Sequence, residues 1–574
     1  MARGAWLMIA AAGMAAGGAL FAQGRGSVEW TTARFDAQRS AWLRSDARLT
    51  KDAVLRHELR FLWKARFDNE QRQLNSLTEP IILDRLIGFR GFKALAFIGG
   101  SADRVFAIDT DLAKPYWTTH LNYSANTGGP PPSSTTCPGG LMATPTRRTP
   151  LEPAPAGAAG GRGRGGRSGS AVGDPGRGAA VLSEAPQGRG AQGRGAIAPA
   201  GPVAPPAKPA SPAVAPVPFG GVDPIYAVGS DGLLHTLRSS NGSDAEPPTP
   251  FLPPSARASS LVFVDGVVYA ATSGECGAAP NAVWALDLAD KDRKVSTWKT
   301  GGGPVAGQGG VAFGADGTLY AAVGADGSRR AALRPGGLAN AVVALDRHSL
   351  ERKDWFTAEK ADFNSSPMAF HYKERDLVAV TGGDGRLYLL DGSSLGGADH
   401  QTPLHVTAVF SAPGAGGALA TWEDQGTRWI LAPMLAAASA PPAAGRGGAA
   451  VAASGRVAAF KLVDRNGALS LEQGWTSRPL VSPLAPMVVN GIAFVASSGE
   501  YRSAAGASLT APERARRSTP AVLYALDATT GKELWNSGAT ITSFARAGLS
   551  AGAGQVYVVT YDNTLYAFGI PMEH

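Results

Sequence analysis

The phrase Ala525-Leu526-Asp527-Ala528-Thr529-Thr530-Gly531-Lys532-Glu533-Leu534-Trp535, led by Val522-Leu523-Tyr524, constrains this chain more than any other stretch. It reads as a short strand, a tight turn at Thr530-Gly531 and the start of a return strand. Asp527 accepts backbone N–H bonds at such a turn, Gly531 takes positive φ at little cost, and Trp535 offers a flat face to a neighbouring sheet. The phrase recurs: Ala107-Ile108-Asp109 with Trp117 keeps the spacing, while Ala285-Leu286-Asp287 with Trp298 and Ala344-Leu345-Asp346 with Trp355 lengthen the turn. Worn copies are Thr236-Leu237-Arg238, Leu389-Leu390-Asp391 and Ala459-Phe460-Lys461 with Trp475. An eighth, Ala567-Phe568-Gly569, lacks a return strand.

Residues 61–67 alternate like a half-buried strand, carry Trp63 and follow no such phrase, so they supply the missing strand and close a ring. Closure removes the sheet edges that an open array exposes. Phrase starts lie 42 to 70 residues apart except for a first interval of 129, which holds an insertion. Four short strands fit each shorter interval. The expected fold is all-β, an eight-bladed β-propeller of four-stranded blades spanning residues 61–574 and closed by an N-terminal strand.

The Ala-x-Asp-x-x-Thr-Gly-x-x-x-Trp phrase resembles the tryptophan-docking motif of the quinoprotein alcohol dehydrogenase-like, or pyrroloquinoline quinone (PQQ) repeat, β-propellers. That superfamily includes dehydrogenases and non-catalytic scaffolds, so the resemblance implies the fold and leaves activity open.

In chain order, Arg3 followed by the uncharged stretch 4–22 resembles a signal peptide cleaved near Ala22, which implies a periplasmic or secreted protein with no membrane span after cleavage, the alternative being a retained membrane anchor. Residues 23–60 are expected to form a partly helical strap over one end of the ring, with Thr50 capping a short helix. Residues 150–219, rich in Gly, Pro, Ala and Arg, read as a disordered insertion, and 436–455 as a short flexible one. Residues 147–220 hold eight Arg and one Lys against three carboxylates, most of the formal charge of +8. Without interleaved aromatics the Arg-Gly run at 162–167 reads as a solvated linker and not as a nucleic-acid site.

If each phrase spans the third and fourth strands of a blade, the loops 274–281, 324–340, 436–455 and 499–519 project from one face, with Cys137-Pro138-Gly139-Gly140. This face is the expected ligand site. Ser273-Gly274-Glu275-Cys276 resembles the dehydrogenase loop whose Glu binds the calcium that holds the quinone, which implies Glu275 as a calcium ligand and cofactor contact. Ser498-Gly499-Glu500-Tyr501 echoes it. By the same resemblance Asp362 is the candidate catalytic base and Asn364 a cofactor-side polar residue at the channel mouth. Against a dehydrogenase stand two departures: no two cysteines are adjacent, and no Cys-x-x-Cys-His is present. Cys137 and Cys276, the only cysteines, are expected to form a disulfide between neighbouring blades. Arg329, Arg330, Arg334, Arg446, Arg502, Arg514, Arg516 and Arg517 fall in the same loops, a rim suited to an acidic ligand such as PQQ with its three carboxylates. The expectation is a monomeric binding or scaffold propeller whose partner is a protein, a polysaccharide or a small anion. The alternative is a PQQ- and calcium-dependent oxidoreductase.

Overall fold

A computed structural model describes residues 29–88, 91–121, 134, 136–151, 223–326, 337–414, 417–436, 454–502 and 509–571. Residues 1–22, expected as a signal segment, the insertion at 152–219 and the core of the insertion at 437–453 lie outside the described residues, as do Arg329, Arg330, Arg334 and Arg446.

Eight antiparallel sheets follow one another along the chain. The first blade runs from Ile81–Gly88 to Lys114–His120. The second is built on Ile225–Val228, Leu233–Leu237 and Thr249–Pro250, with a bridge from Thr146 to Tyr226 on its inner side. The seventh runs from Met487–Val489 to Glu533–Asn536, and the eighth from Ser550–Gly552 to Thr564–Gly569. Its fourth strand is Arg60–Arg66, which pairs antiparallel with Thr564–Gly569 and closes the ring as the alternation predicts. Inner strands are apolar on both faces because neighbouring blades cover them: Ile492–Ser497 and Gln555–Val559 are buried at every position. Outer strands alternate, as Val295–Lys299 does.

The docking phrase works between blades. Asp109, Asp287, Asp346 and Asp527 each accept two backbone N–H bonds through Oδ1 in their own turns. The tryptophans reach the next blade: Trp475 Nε1 donates to the Ala528 carbonyl at 3.0 Å and Trp117 Nε1 to that of Ser239 at 2.8 Å. Trp63 Nε1 donates to the Thr110 carbonyl at 3.1 Å, so the seam continues across the closure. Gly531 at φ +72° lies under Trp475, where a Cβ would stand 2.5 Å from the ring. Trp298 and Trp355 pack against the apolar core of the third and fourth blades, and Trp535 meets Phe568 of the eighth.

One expectation is corrected. Thr50 does cap a short helix, Lys51–Leu55, but residues 30–41 are not a strap over one end. They run inside the ring. The Trp30 carbonyl accepts from Ile82 N–H of the first blade, Thr31 from Arg147, Ala37 from Phe313, Gln38 from Ala369, Ser40 from Thr421 and Ala41 from Val488 of the seventh, and Thr32 Oγ1 donates to the Leu261 carbonyl of the third. Innermost strands leave their inward N–H groups unpaired, and this axial segment satisfies them. Trp42–Leu43 then pairs in parallel with Met487–Val489 as the segment leaves. Its polar composition looks solvated, yet Trp30, Thr32, Ala37 and Ala41 have no exposed surface and Arg39 has 1 %.

Candidate functional site

The connections into each blade's first strand converge on one face around a funnel of about 530 Å³, whose floor is Ala33 and Arg34 of the axial segment. Arg34 is held by its own donors, with Nη2 donating to the carbonyls of Leu419, at 2.9 Å, and Pro486. Beside it Glu79 Oε1 accepts from Trp30 Nε1 at 3.0 Å and from the Arg34 N–H at 2.8 Å. Burial pushes the Glu79 carboxyl up and the Arg34 guanidinium down, each against the pull of the other. Arg39, lower in the segment, is pushed down to about 10 by the same burial. Glu79 is thus committed to Trp30 and the Arg34 backbone, while the Arg34 guanidinium bonds only through Nη2 and leaves Nε and Nη1 without a partner.

The wall carries a different chemistry. Glu500, 1 % exposed, forms ion pairs with Arg514, whose Nη2 lies 2.9 Å from Oε1, with Arg546, whose Nε lies 3.0 Å from Oε1, and with Arg502, whose Nε lies 3.6 Å from Oε2. Arg257 lies on the same wall and donates to the Thr136 carbonyl at 3.3 Å. Burial lowers the basicity of Arg546, Glu500 opposes this, and Arg514, Arg502 and Arg257 add to it. One carboxylate thus serves several guanidiniums, which leaves the wall with a surplus of positive charge. The short helix Ala511–Arg517 supplies Arg514 and is started by a capping box of Thr510 and Glu513.

Cys137 and Cys276 are joined by a disulfide with Cα atoms 5.4 Å apart. It ties the 134–138 segment to the loop after Val267–Thr272, at the edge of the funnel where Pro138 and Ser273 form the wall. Closing a loop this long restricts the unfolded chain by on the order of 2–5 kcal/mol.

Asp362 and Asn364 both line the funnel. Asp362 has φ +42°, and its Oδ1 accepts from the Ala325 N–H at 2.8 Å. Glu275 is exposed, in the left-handed conformation before the turn Cys276–Ala278, and is not among the residues of the funnel wall. Glu500, in the echoing loop, is the carboxylate that faces inward. The echo itself was the signal, since both phrases follow the second strand of a blade. Arg257 and Arg546 carried no sequence signal, being single arginines in irregular connections.

A calcium-held quinone needs carboxylate oxygens free to meet the ion. Of the carboxylates on the funnel wall, Glu79 is bound to Trp30 and Arg34, Glu500 to arginines and Asp362 to a backbone N–H. No group of three or more His, Cys, Asp or Glu side chains suited to a metal ion occurs among the described residues. The site does not fit calcium, whereas its guanidiniums fit a ligand rich in carboxylates.

Comparisons with known proteins agree with the architecture. Residues 454–570 match the family model described as outer membrane protein assembly factor BamB, a PQQ-repeat model. No curated protein matches the chain. Among solved structures, quinohemoprotein alcohol dehydrogenase from Comamonas testosteroni aligns over 96% of this chain and 82% of its own, with TM-score 0.54 and 13% identity. A quinohemoprotein alcohol dehydrogenase from Pseudomonas putida HK5 aligns over 95% and 82%, with TM-score 0.52 and 12% identity. A europium-containing methanol dehydrogenase aligns over 94% and 98%, with TM-score 0.52 and 11% identity. At such identities the likeness is one of fold.

Proposed function

We propose that this PQQ-repeat-type β-propeller is an exported binding protein that takes a small, carboxylate-rich ligand in its funnel and performs no redox chemistry there. The observation that carries the reading is Arg257, Arg502 and Arg546 on the funnel wall beside Glu500, a carboxylate that is also paired with Arg514. Guanidiniums crowded about one carboxylate repel one another, and an acidic ligand relieves that repulsion. The disulfide accords with an oxidising compartment, and among the described residues no helix is long and apolar enough to cross a membrane. The match of residues 454–570 to an assembly-factor model is in keeping with binding as the role.

A second reading, a PQQ- and calcium-dependent oxidoreductase, is favoured by one observation: Asp362 and Asn364 share the funnel wall. One titration separates the two. Calorimetry of the chain from Gln23 onward with PQQ and with citrate, each with and without calcium, should show calcium-independent binding of one acid per chain. Arg546→Gln and Arg257→Gln should each raise Kd roughly tenfold or more, the loss of a charge-assisted hydrogen bond. Quinone binding that requires calcium, is lost in Glu275→Ala and is accompanied by alcohol oxidation lost in Asp362→Asn would establish the oxidoreductase instead. No binding of either acid would overturn both readings.

A further inference from the structure

Arg257 of the funnel wall is gripped from two sides by the segments that carry the two cysteines. Its backbone carbonyl accepts from the Ser273 N–H at 3.1 Å, and Ala258 bridges Thr272, so its main chain is fixed to the strand that leads to Cys276. The turn after Cys276 packs on the same connection. Gly277, at φ +63°, lies so close to it that a Cβ would stand 2.1 Å from the Pro254 carbonyl oxygen. The guanidinium reaches the other way, and its Nη1 donates to the Thr136 carbonyl at 3.3 Å. Thr136 adjoins Cys137, and Cys276 Sγ lies 3.5 Å from the same carbonyl oxygen. Among the described residues this is the one N–H hydrogen bond that residues 134 and 136–138 share with the rest of the chain. Their others are local, from the Ser134 N–H to the Cys137 carbonyl and from the Cys137 N–H to Ser134 Oγ.

Arg257 also differs from its neighbours in charge balance. Arg502 and Arg546 pair with Glu500, whereas Arg257 is exposed and enters no ion pair among the described residues. It is the guanidinium of the wall left open to a ligand carboxylate. We infer that the Cys137–Cys276 disulfide is a positioning element of this site: by fixing the Thr136 carbonyl it holds Arg257 in the orientation that meets the acid. The inference rests on the proposal that the funnel binds a carboxylate-rich ligand. A free arginine side chain spreads over many rotamers, and a ligand that must order it binds more weakly than one that finds it placed. An exposed hydrogen bond of 3.3 Å competes with water and does not hold the 134–138 segment by itself, so the placement depends on the covalent tie. Opening that tie with a dithiol moves two electrons: the S–S bond breaks, each sulfur gains a proton, and the dithiol is oxidised to its own disulfide.

The test is calorimetric titration of the intact protein with citrate and with PQQ, comparing the oxidised chain with Cys137→Ala/Cys276→Ala. The comparison is repeated in Arg257→Gln and in Arg546→Gln, at protein concentrations high enough to read the weaker Kd. Loss of the disulfide is expected to raise Kd about two- to tenfold, the cost of ordering one long side chain, to keep that factor with Arg546→Gln and to have no effect with Arg257→Gln. Should the double alanine variant fail to fold, chains opened with dithiothreitol, freed of it and shown to titrate both thiols take its place. A disulfide that only stabilises the blades would lower the melting temperature in every background and leave Kd unchanged, or shift Kd by the same factor in Arg257→Gln. Either result overturns the inference while the acid site stands. No binding of either acid to the oxidised chain overturns the acid site, and this inference with it.

Discussion

The ring and the segment that fills it are held together by opposite means. Between blades the contacts are largely apolar and repeated, with tryptophans resting on the turn of the next blade, as Trp475 rests on Gly531 and Trp117 on Gly242. Along the axis the contacts are polar and unrepeated. Arg34, Asp36, Arg39 and Glu79 are all buried there, each with its own set of partners, although Nε and Nη1 of Arg34 and Nη2 of Arg39 are left without one. A repeated seam distributes stability, so the loss of one contact weakens one joint. A shared axial segment concentrates it, because the same residues bind the inner strands from the first blade to the seventh.

The sharpest way to break this contrast is Glu79→Ala, which strips a buried guanidinium of its counter-charge and is expected to cost about 3–5 kcal/mol. Urea unfolding gives the magnitude. Native-state hydrogen exchange gives the pattern, with protection expected to fall together in blades one to seven. Trp475→Ala is expected to cost about 3 kcal/mol through lost burial and the lost bond to Ala528, with exchange rising only near the sixth and seventh blades. If both variants loosen the same amides, the distinction between seam and axis is wrong. The smallest effect is one of pH. The Asp346 carboxyl is held below its ordinary value, chiefly by the Ser349 backbone N–H. What it contributes is therefore full above about 3.8 and is lost as pH falls through its folded value. Glu79 is shifted the other way, its folded carboxyl above the ordinary value, so its ionisation opposes folding as pH rises from about 4.5. Urea midpoints against pH should show Asp346→Asn removing part of the acid-side decline.

What was legible followed the same division. Recurrence exposed the Asp turns, the docking tryptophans, the closing strand at Trp63 and the face on which Cys137 meets Cys276. Each of these is written several times or set by a repeat's phase. Residues 30–41 are written once. Threonine, arginine, aspartate and glutamine in that order describe a solvated strap by every compositional rule, and only a ring of unpaired inner strands makes the same residues the right filling. The inward Glu500 and outward Glu275 show the limit at finer scale. Two loops with the same phrase lead to different elements, a 3-10 turn in one and the helix Ala511–Arg517 in the other, and only one of the two carboxylates faces the funnel.

The pairing of Arg60–Arg66 with Thr564–Gly569 also governs the order of assembly. Trp63 waits for Gln555, a partner 492 residues later, so the ring cannot seal until nearly the whole chain has been synthesised. Seven blades can form as nearest-neighbour hairpins while the chain lengthens. The eighth depends on both extremities at once, and a product stopped short of residue 564 would carry an open ring with two adhesive edges.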